Sequence, residues 1–271
     1  MEVVAMIHWP WTERPLRMVW RVERDGRCFH IVGTAHFFPY SFARPLTRLI
    51  RPVNLVLTEG PLDEASSEAI AAYGRTGNND LLAWLDPVAA RRLEQLLRER
   101  QDGGVWLIPP AGFPYLEAYT QGVRPWAAFF SIWGTYLNWR YSMDAEGYQV
   151  ARKLGKRIGH LETLEEQLAV LDGIPIERIV RQLNDVARWD AYRREYVRLF
   201  LDGDLPGLIA LTSGFVTRGP VVVGQRDARM AAAMRAVVEQ EDAVVFIGFP
   251  HVPGVTHLFE EAGWSVTQVT V

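Results

Sequence analysis

Three short apolar runs in the chain each break off at a side chain able to bind a metal or move a proton: "HIVGTAH" at His36, "NLVLTEG" at Glu59 and "AVVFIGFPH" at His251. Both histidines close a Gly-x-x-His spacing, from Gly33 and from Gly248. The spacing alone is weak, because 22 glycines and 6 histidines give roughly half such a pair by chance, and Gly254 to His257 supplies another within a helical stretch. What separates the first and the last is their place at the end of a buried run. Two neutral imidazoles and one carboxylate make a ligand set for a divalent cation, leaving a position for a water that the metal acidifies into a nucleophile. Taken singly, each histidine reads more simply as a structural residue, and Glu59 equally well as a helix cap or an ion-pair partner.

Further candidates lie downstream. Glu162 ends "RIGHLET" and suits an additional ligand or a general base; its plainer reading is the acidic first turn of the next helix. Arg226, in "GQRDARMA", stands near a helix start, where it can hold a substrate carbonyl or a developing oxyanion. As a partly exposed residue it is expected to matter more to turnover than to folding, and its neighbour Asp227 could simply pair with it. Asp144 in "YSMDAEG" reads as a helix N-cap. His8, His30 and His257 read as structural.

In an open α/β sheet, ligands bind beyond the carboxyl ends of the strands, so the elements around these residues must bring those ends to one edge. "MVWRVERDGRCFHIVGTAH" predicts a hairpin about Asp25-Gly26. "SFARPLTRLIRP" has helical spacing and leads into the strand "NLVLTEG" as a βαβ crossover. From about Asp80 to about residue 143 strand signals fade. Two helical stretches, "LLAWLDPVAARRLEQLLRER" and the aromatic run after Pro125, are joined there by "DGGVWLIPPAGFP" and read as a helical insertion. A helix from Asp144 leads to the strand "GKRIGHLET". Helices follow over Leu164–Leu171, Ile176–Leu201 and "GQRDARMAAAMRAVVEQ", then the strand "DAVVFIG", the helix "VTHLFEEAG" and a closing strand "WSVTQVTV". The expected fold is α/β, with a mixed, mainly parallel central sheet flanked by helices, in one domain over residues 1–271. The segment Trp126 to Trp139 is expected to line or cover the cleft, with a plain core helix as the alternative.

Composition narrows the class. A chain of 271 residues that is 49% hydrophobic buries a substantial core. With 29 Lys and Arg against 32 Asp and Glu, and no long run of one sign, it lacks the footprint of a nucleic-acid binder. Cys28 is the single cysteine, so no internal disulfide forms. The start, "MEVVAMIHWPWTERPLRM", places Glu2, His8 and Glu13 where a signal peptide needs a basic start and an unbroken apolar run; a cytoplasmic address is expected. "PWAAFFSIWGTYLNW" meets Asn138 and Arg140 before the roughly 20 apolar residues a spanning helix needs, so no transmembrane segment is expected. The oligomeric state stays open, and a homodimer is compatible with the chain.

In order, "HIVGTAH", "NLVLTEG", "GKRIGHLETLEEQL", "GQRDARMA" and "VVFIGFPHVPGVTHLFEEAGWSV" resemble the pattern of the TraB/GumN family. That family is related to the Tiki metalloproteases and more remotely to erythromycin esterases and the haem-binding ChaN proteins. The resemblance implies a mixed α/β sheet with a helical insertion and a site built from the two GxxH histidines with an acidic residue. On the Tiki analogy, His36, Glu59 and His251 carry over as metal ligands or as the catalytic cluster, while Glu162 and Arg226 match other family positions. Phe249-Pro250 stand where Gly-Ala-Gly-His is the commoner context.

The leading expectation is a metal-dependent, peptidase-like hydrolase that cleaves a peptide amide bond, with a peptide or small molecule as its substrate. A Zn²⁺, Mn²⁺ or Co²⁺ ion acidifies a water, a carboxylate (Glu59 if unligated, otherwise Glu162) takes its proton, and Arg226 stabilises the oxyanion. Two rivals stay open: a metal-free, esterase-like hydrolase with His36 as general base, and a non-catalytic protein that binds a peptide or haem.

Overall fold

Asp25 and Gly26 both adopt positive φ, 51° and 78°, and turn β1 (Val19–Arg24) back on β2 (Arg27–Thr34) in the expected hairpin. The computed structural model describes residues 14–77, 79–99, 116–219 and 223–271. After β2, helix α1 (Ala43–Ile50) crosses to β3 (Leu55–Thr58). Four helices follow with no strand between them among the described residues: α2 (Glu64–Gly74), α3 (Pro87–Glu99), α4 (Leu116–Thr120) and α5 (Pro125–Leu137). The joining stretch "DGGVWLIPPAGFP" lies outside the described residues. Helix α6 (Met143–Lys153) then returns the chain to the sheet at β4 (Arg157–His160).

The remaining elements are α7 (Leu164–Asp172), α8 (Ile176–Asn184), α9 (Trp189–Asp202), α10 (Leu205–Thr212), α11 (Gly224–Val238), β5 (Ala243–Gly248), α12 (Val252–Glu261) and β6 (Ser265–Val269). The single helix expected over Ile176–Leu201 is broken. The chain leaves α8 at Asp185 and makes a short 3₁₀ turn, Val186–Arg188, which swings Trp189 inward so that its indole donates to the Gln182 carbonyl at 2.9 Å. Helix α10, which lacks strong periodicity, was not expected.

The six strands pair in the order β4-β3-β5-β2-β1-β6. The first four run parallel, and β1 is antiparallel to both neighbours. The fold is therefore α/β with a mixed, mainly parallel sheet. All six residues of β5 are buried, as a central parallel strand covered on both faces requires. Because β4, β3, β5 and β2 are consecutive and parallel, their carboxyl ends share one edge. The residues just beyond those ends are, in that order, Glu162, Glu59, His251 and His36.

Two apolar clusters fill the molecule. One surrounds the sheet and gathers α1, α6, α11 and α12 onto it. The other is a helical lobe in which α3, α4 and α8 wrap α5. Every residue from Trp126 to Leu137 is buried, and Trp133 meets Trp189 edge-on at 4.8 Å. The aromatic helix is thus core rather than a cover for the cleft. A helix apolar on every face can only be satisfied by burial on every face. The lobe also draws on α8 and Trp189. No helix among the described residues is long and apolar enough to cross a membrane.

Candidate functional site

The loop after β2 is zipped to the chain entering α6. Phe38 donates to the Tyr141 carbonyl at 2.8 Å, Tyr141 returns a bond at 3.3 Å, and the Met143 amide donates to Ala35 at 3.2 Å. Ser142, not Asp144, caps α6. Asp144 instead turns inward from the first helical turn, accepts from the Thr34 hydroxyl at 2.7 Å and holds His36 Nδ1 at 2.9 Å. The N-cap reading of Asp144 fails because the hydroxyl two residues earlier already satisfies the helix amide, which frees the carboxylate for the interior. A carboxylate only accepts, so Nδ1 carries the proton and Nε2 is left for other work. The His36 side chain is 64% exposed while Asp144 is buried. Asp144 draws the His36 pKa up to about 9. Desolvation works against this, Glu59 adds to it and Arg226 opposes it.

On the other side of the edge, the parallel ladder continues past the strands. Leu161 donates to the Thr58 carbonyl and Glu162 to the Glu59 carbonyl, both at 2.9 Å, which sets the two glutamates side by side. Glu59 Oε2 accepts the Gly248 amide from β5 at 2.9 Å. A Cβ at residue 248 would stand 3.3 Å from that oxygen, a tight contact that glycine avoids. Arg226, in the first turn of α11, reaches between them. Its Nε donates to Glu162 Oε1 at 2.8 Å, its Nη2 bonds Glu162 Oε2 and Glu59 Oε1, and its Nη1 lies 3.2 Å from His251 Nε2. Side-chain exposure is 6% for Arg226 and 1% for Glu162, so this is a buried ion network. Burial would pull the Arg226 pKa down, but the hydrogen bonds and charges of Glu162 and Glu59 raise it. Burial alone would likewise raise Glu59; its neighbours His251, Arg226 and His36, with the Gly248 N–H, outweigh that and hold its pKa down to about 2.

His251 sits in a 3₁₀ turn, Phe249–His251, between β5 and α12. Its Nδ1 donates to Asp227 Oδ1 at 2.6 Å, which leaves Nε2 to accept from Arg226. Asp227, which the sequence also offered as a simple partner for Arg226, holds the histidine. It fits because residue 254 is glycine: a methyl there would overlap the Asp227 carboxylate. Both strand-end histidines are therefore held at Nδ1 by a buried aspartate from the first turn of a helix. The sequence reading named both aspartates but gave neither this role. The available signal was an acidic side chain in a first helical turn flanked by apolar neighbours, Met143 beside Asp144 and Met230 one turn after Asp227. Of the histidines read as structural, His257 makes an exposed pair with Glu261 at 3.4 Å, His30 lies half-buried in the hairpin, and His8 is outside the described residues.

A divalent ion shared by His36, Glu59 and His251 requires their donors to converge. Among the described residues no three His, Cys, Asp or Glu side chains form such a group. The Arg226 guanidinium stands among Glu59, Glu162 and His251 and engages the lone pairs an ion would use. The residues as arranged do not fit the ion.

The fold and this edge define an α/β protein whose ionisable side chains converge beyond four parallel strands. The model of the TraB/PrgY/gumN family matches residues 18–268, and the chain belongs to that family. No curated protein matches it.

Proposed function

We propose that this chain is a metal-independent hydrolase of ester or amide bonds, in which His36 takes a proton from the attacking water. The observation that carries the reading is the His36–Asp144 pair: an imidazole fixed at Nδ1 by a buried carboxylate at 2.9 Å, with its ring open to solvent. An anchored imidazole of this kind is the arrangement general-base catalysis needs. Water loses a proton to Nε2 and adds to the carbonyl carbon. The tetrahedral species then expels an alcohol or amine, which leaves with the proton from the imidazolium. Glu59, ionised and electrostatically coupled to His36, stabilises that imidazolium. Arg226 acts by position. With its donors directed at Glu162, Glu59 and His251, it supplies the charge that lets two carboxylates stand buried together.

Turnover of a mixed panel of esters and peptides, with and without chelator, tests this. His36→Ala should cost about 10²- to 10⁴-fold in rate, and chelator should change nothing. A rate unaffected by His36→Ala removes the base. Chelator-sensitive turnover restored by added Zn²⁺, Mn²⁺ or Co²⁺ would put a metal ion back at the centre of the chemistry.

A further inference from the structure

Arg218 differs in kind from Arg226. Its Nη2 donates to the Thr212 hydroxyl at 2.7 Å, and its guanidinium lies over the Phe249 ring, 4.6 Å from the centroid. Nε and Nη1 are sealed from water and have no hydrogen-bond partner among the described residues. No acidic side chain among them pairs with it either. Burial lowers its pKa to about 10, against a pull upward from the phenols of Tyr196 and Tyr192. Leaving two buried guanidinium donors unanswered is costly, and Arg is the residue that best repays such cost when a carboxylate arrives.

Its location links it to the candidate site. Phe249 directly follows Gly248, whose amide holds Glu59, and precedes His251 by two residues. The Phe249 ring meets Tyr196 at 5.9 Å, and Tyr196 meets Phe38, two residues beyond His36, at 6.4 Å. Arg218 therefore stands on the ring cluster that bridges the two histidine loops.

We propose that Arg218 is the anchor of a subsite for a substrate carboxylate, so that the bond cleaved belongs to an ester or amide carrying a free acid. This deepens the hydrolytic reading and rests on it for the nature of the substrate, though not for the binding itself.

Binding is measured by calorimetry on His36→Ala, with a panel of N-acetylated dipeptides in free-acid and C-terminal-amide forms and with inorganic phosphate as a separate arm. Because that variant lacks the base, the measurement stands whether or not the hydrolytic reading does. At least one free acid should bind about tenfold or more tightly than its amide, and Arg218→Met on the same background should erase the difference. Arg218→Lys should keep part of it, which guards against a Met variant that fails to fold. Equal binding of acid and amide throughout the panel overturns the subsite, as does a preference that survives Arg218→Met. Phosphate binding more tightly than any free acid overturns the carboxylate assignment.

Discussion

Removing the guanidinium of Arg226 tests the account of the buried network most directly. Arg226→Met keeps much of the stem's volume and deletes the charge. Glu162, 1% exposed, then loses the hydrogen bonds to both its oxygens and keeps only the looser pairing with Arg229 at 3.7 Å, and of its hydrogen bonds Glu59 keeps the Gly248 amide. Breaking one partner out of a buried ion network costs about 3–5 kcal/mol. At about 2–4 °C per kcal/mol for a chain of this size, the melting temperature should fall by about 6–20 °C. Thermal and urea unfolding at neutral pH measure the loss. The sign of its pH dependence adds a second check. Glu59 has a depressed pKa in the folded protein, so the stability it contributes is present above the ordinary carboxylate range and is lost as pH falls through about 2. Without Arg226 that contribution is smaller, because only His251, His36 and the Gly248 amide still favour the ionised carboxylate, and the gap between variant and parent should narrow as the medium is acidified. Adding Glu162→Gln to Arg226→Met should recover part of the loss, because the stranded charge is then removed. A drop below about 1 kcal/mol, independent of pH, would refute the buried-network reasoning and return Arg226 to the partly exposed role expected from sequence.

If His36 is the base, kcat/KM should climb about tenfold per pH unit below its pKa and level off near pH 9, since only the neutral ring accepts a proton. Asp144→Asn should move that inflection down by about 1–3 units while lowering the plateau; a profile identical to the parent's would disconnect Asp144 from His36. Gly254→Ala separates helix propensity from the packing of Asp227: propensity alone would stabilise α12 by about 1 kcal/mol. Displacing Asp227 from His251 should instead destabilise by about 1–3 kcal/mol, and a stabilised variant with the His251 Nδ1 proton still protected in NMR would show that the glycine is not needed.

The fold was legible where local chemistry and burial agree. The Asp25-Gly26 turn, the alternating and apolar runs of β2, β3 and β5, and the Gly263 that ends the last helix each fix an element within a few residues. Legibility failed where a tertiary demand overrode the local pattern. The apolar periodicity from Ile176 to Leu201 runs on smoothly, but the lobe needs Trp189 in its core, so the helix breaks three residues before it. The aromatic helix α5 looked like a lid because so much apolar surface demanded a cover. Its cover comes from α3, α4 and α8, and the sequential distance between those partners hides this from any local reading.

The same limit explains the site. Residue type and strand context pointed to four side chains that the sheet order sets along one edge, because parallel neighbours must end together. What joins them could not be read, since it comes from the first turns of α6 and α11, more than 60 residues away in every pairing except those of Asp227 and Arg226 with His251, where the separations are 24 and 25. Carboxylates crowded at a sheet edge require a cation whatever its source. Histidine beside glutamate suggests a metal, and the arrangement satisfies the same electrostatic demand with the chain's own guanidinium. Once Arg226 bridges Glu59 and Glu162, with Arg229 also 3.7 Å from Glu162, the two histidines need not share a ligand, and each acquires its own aspartate. One is then enclosed as part of the network, and the other is left open to solvent, where an imidazole can act on water.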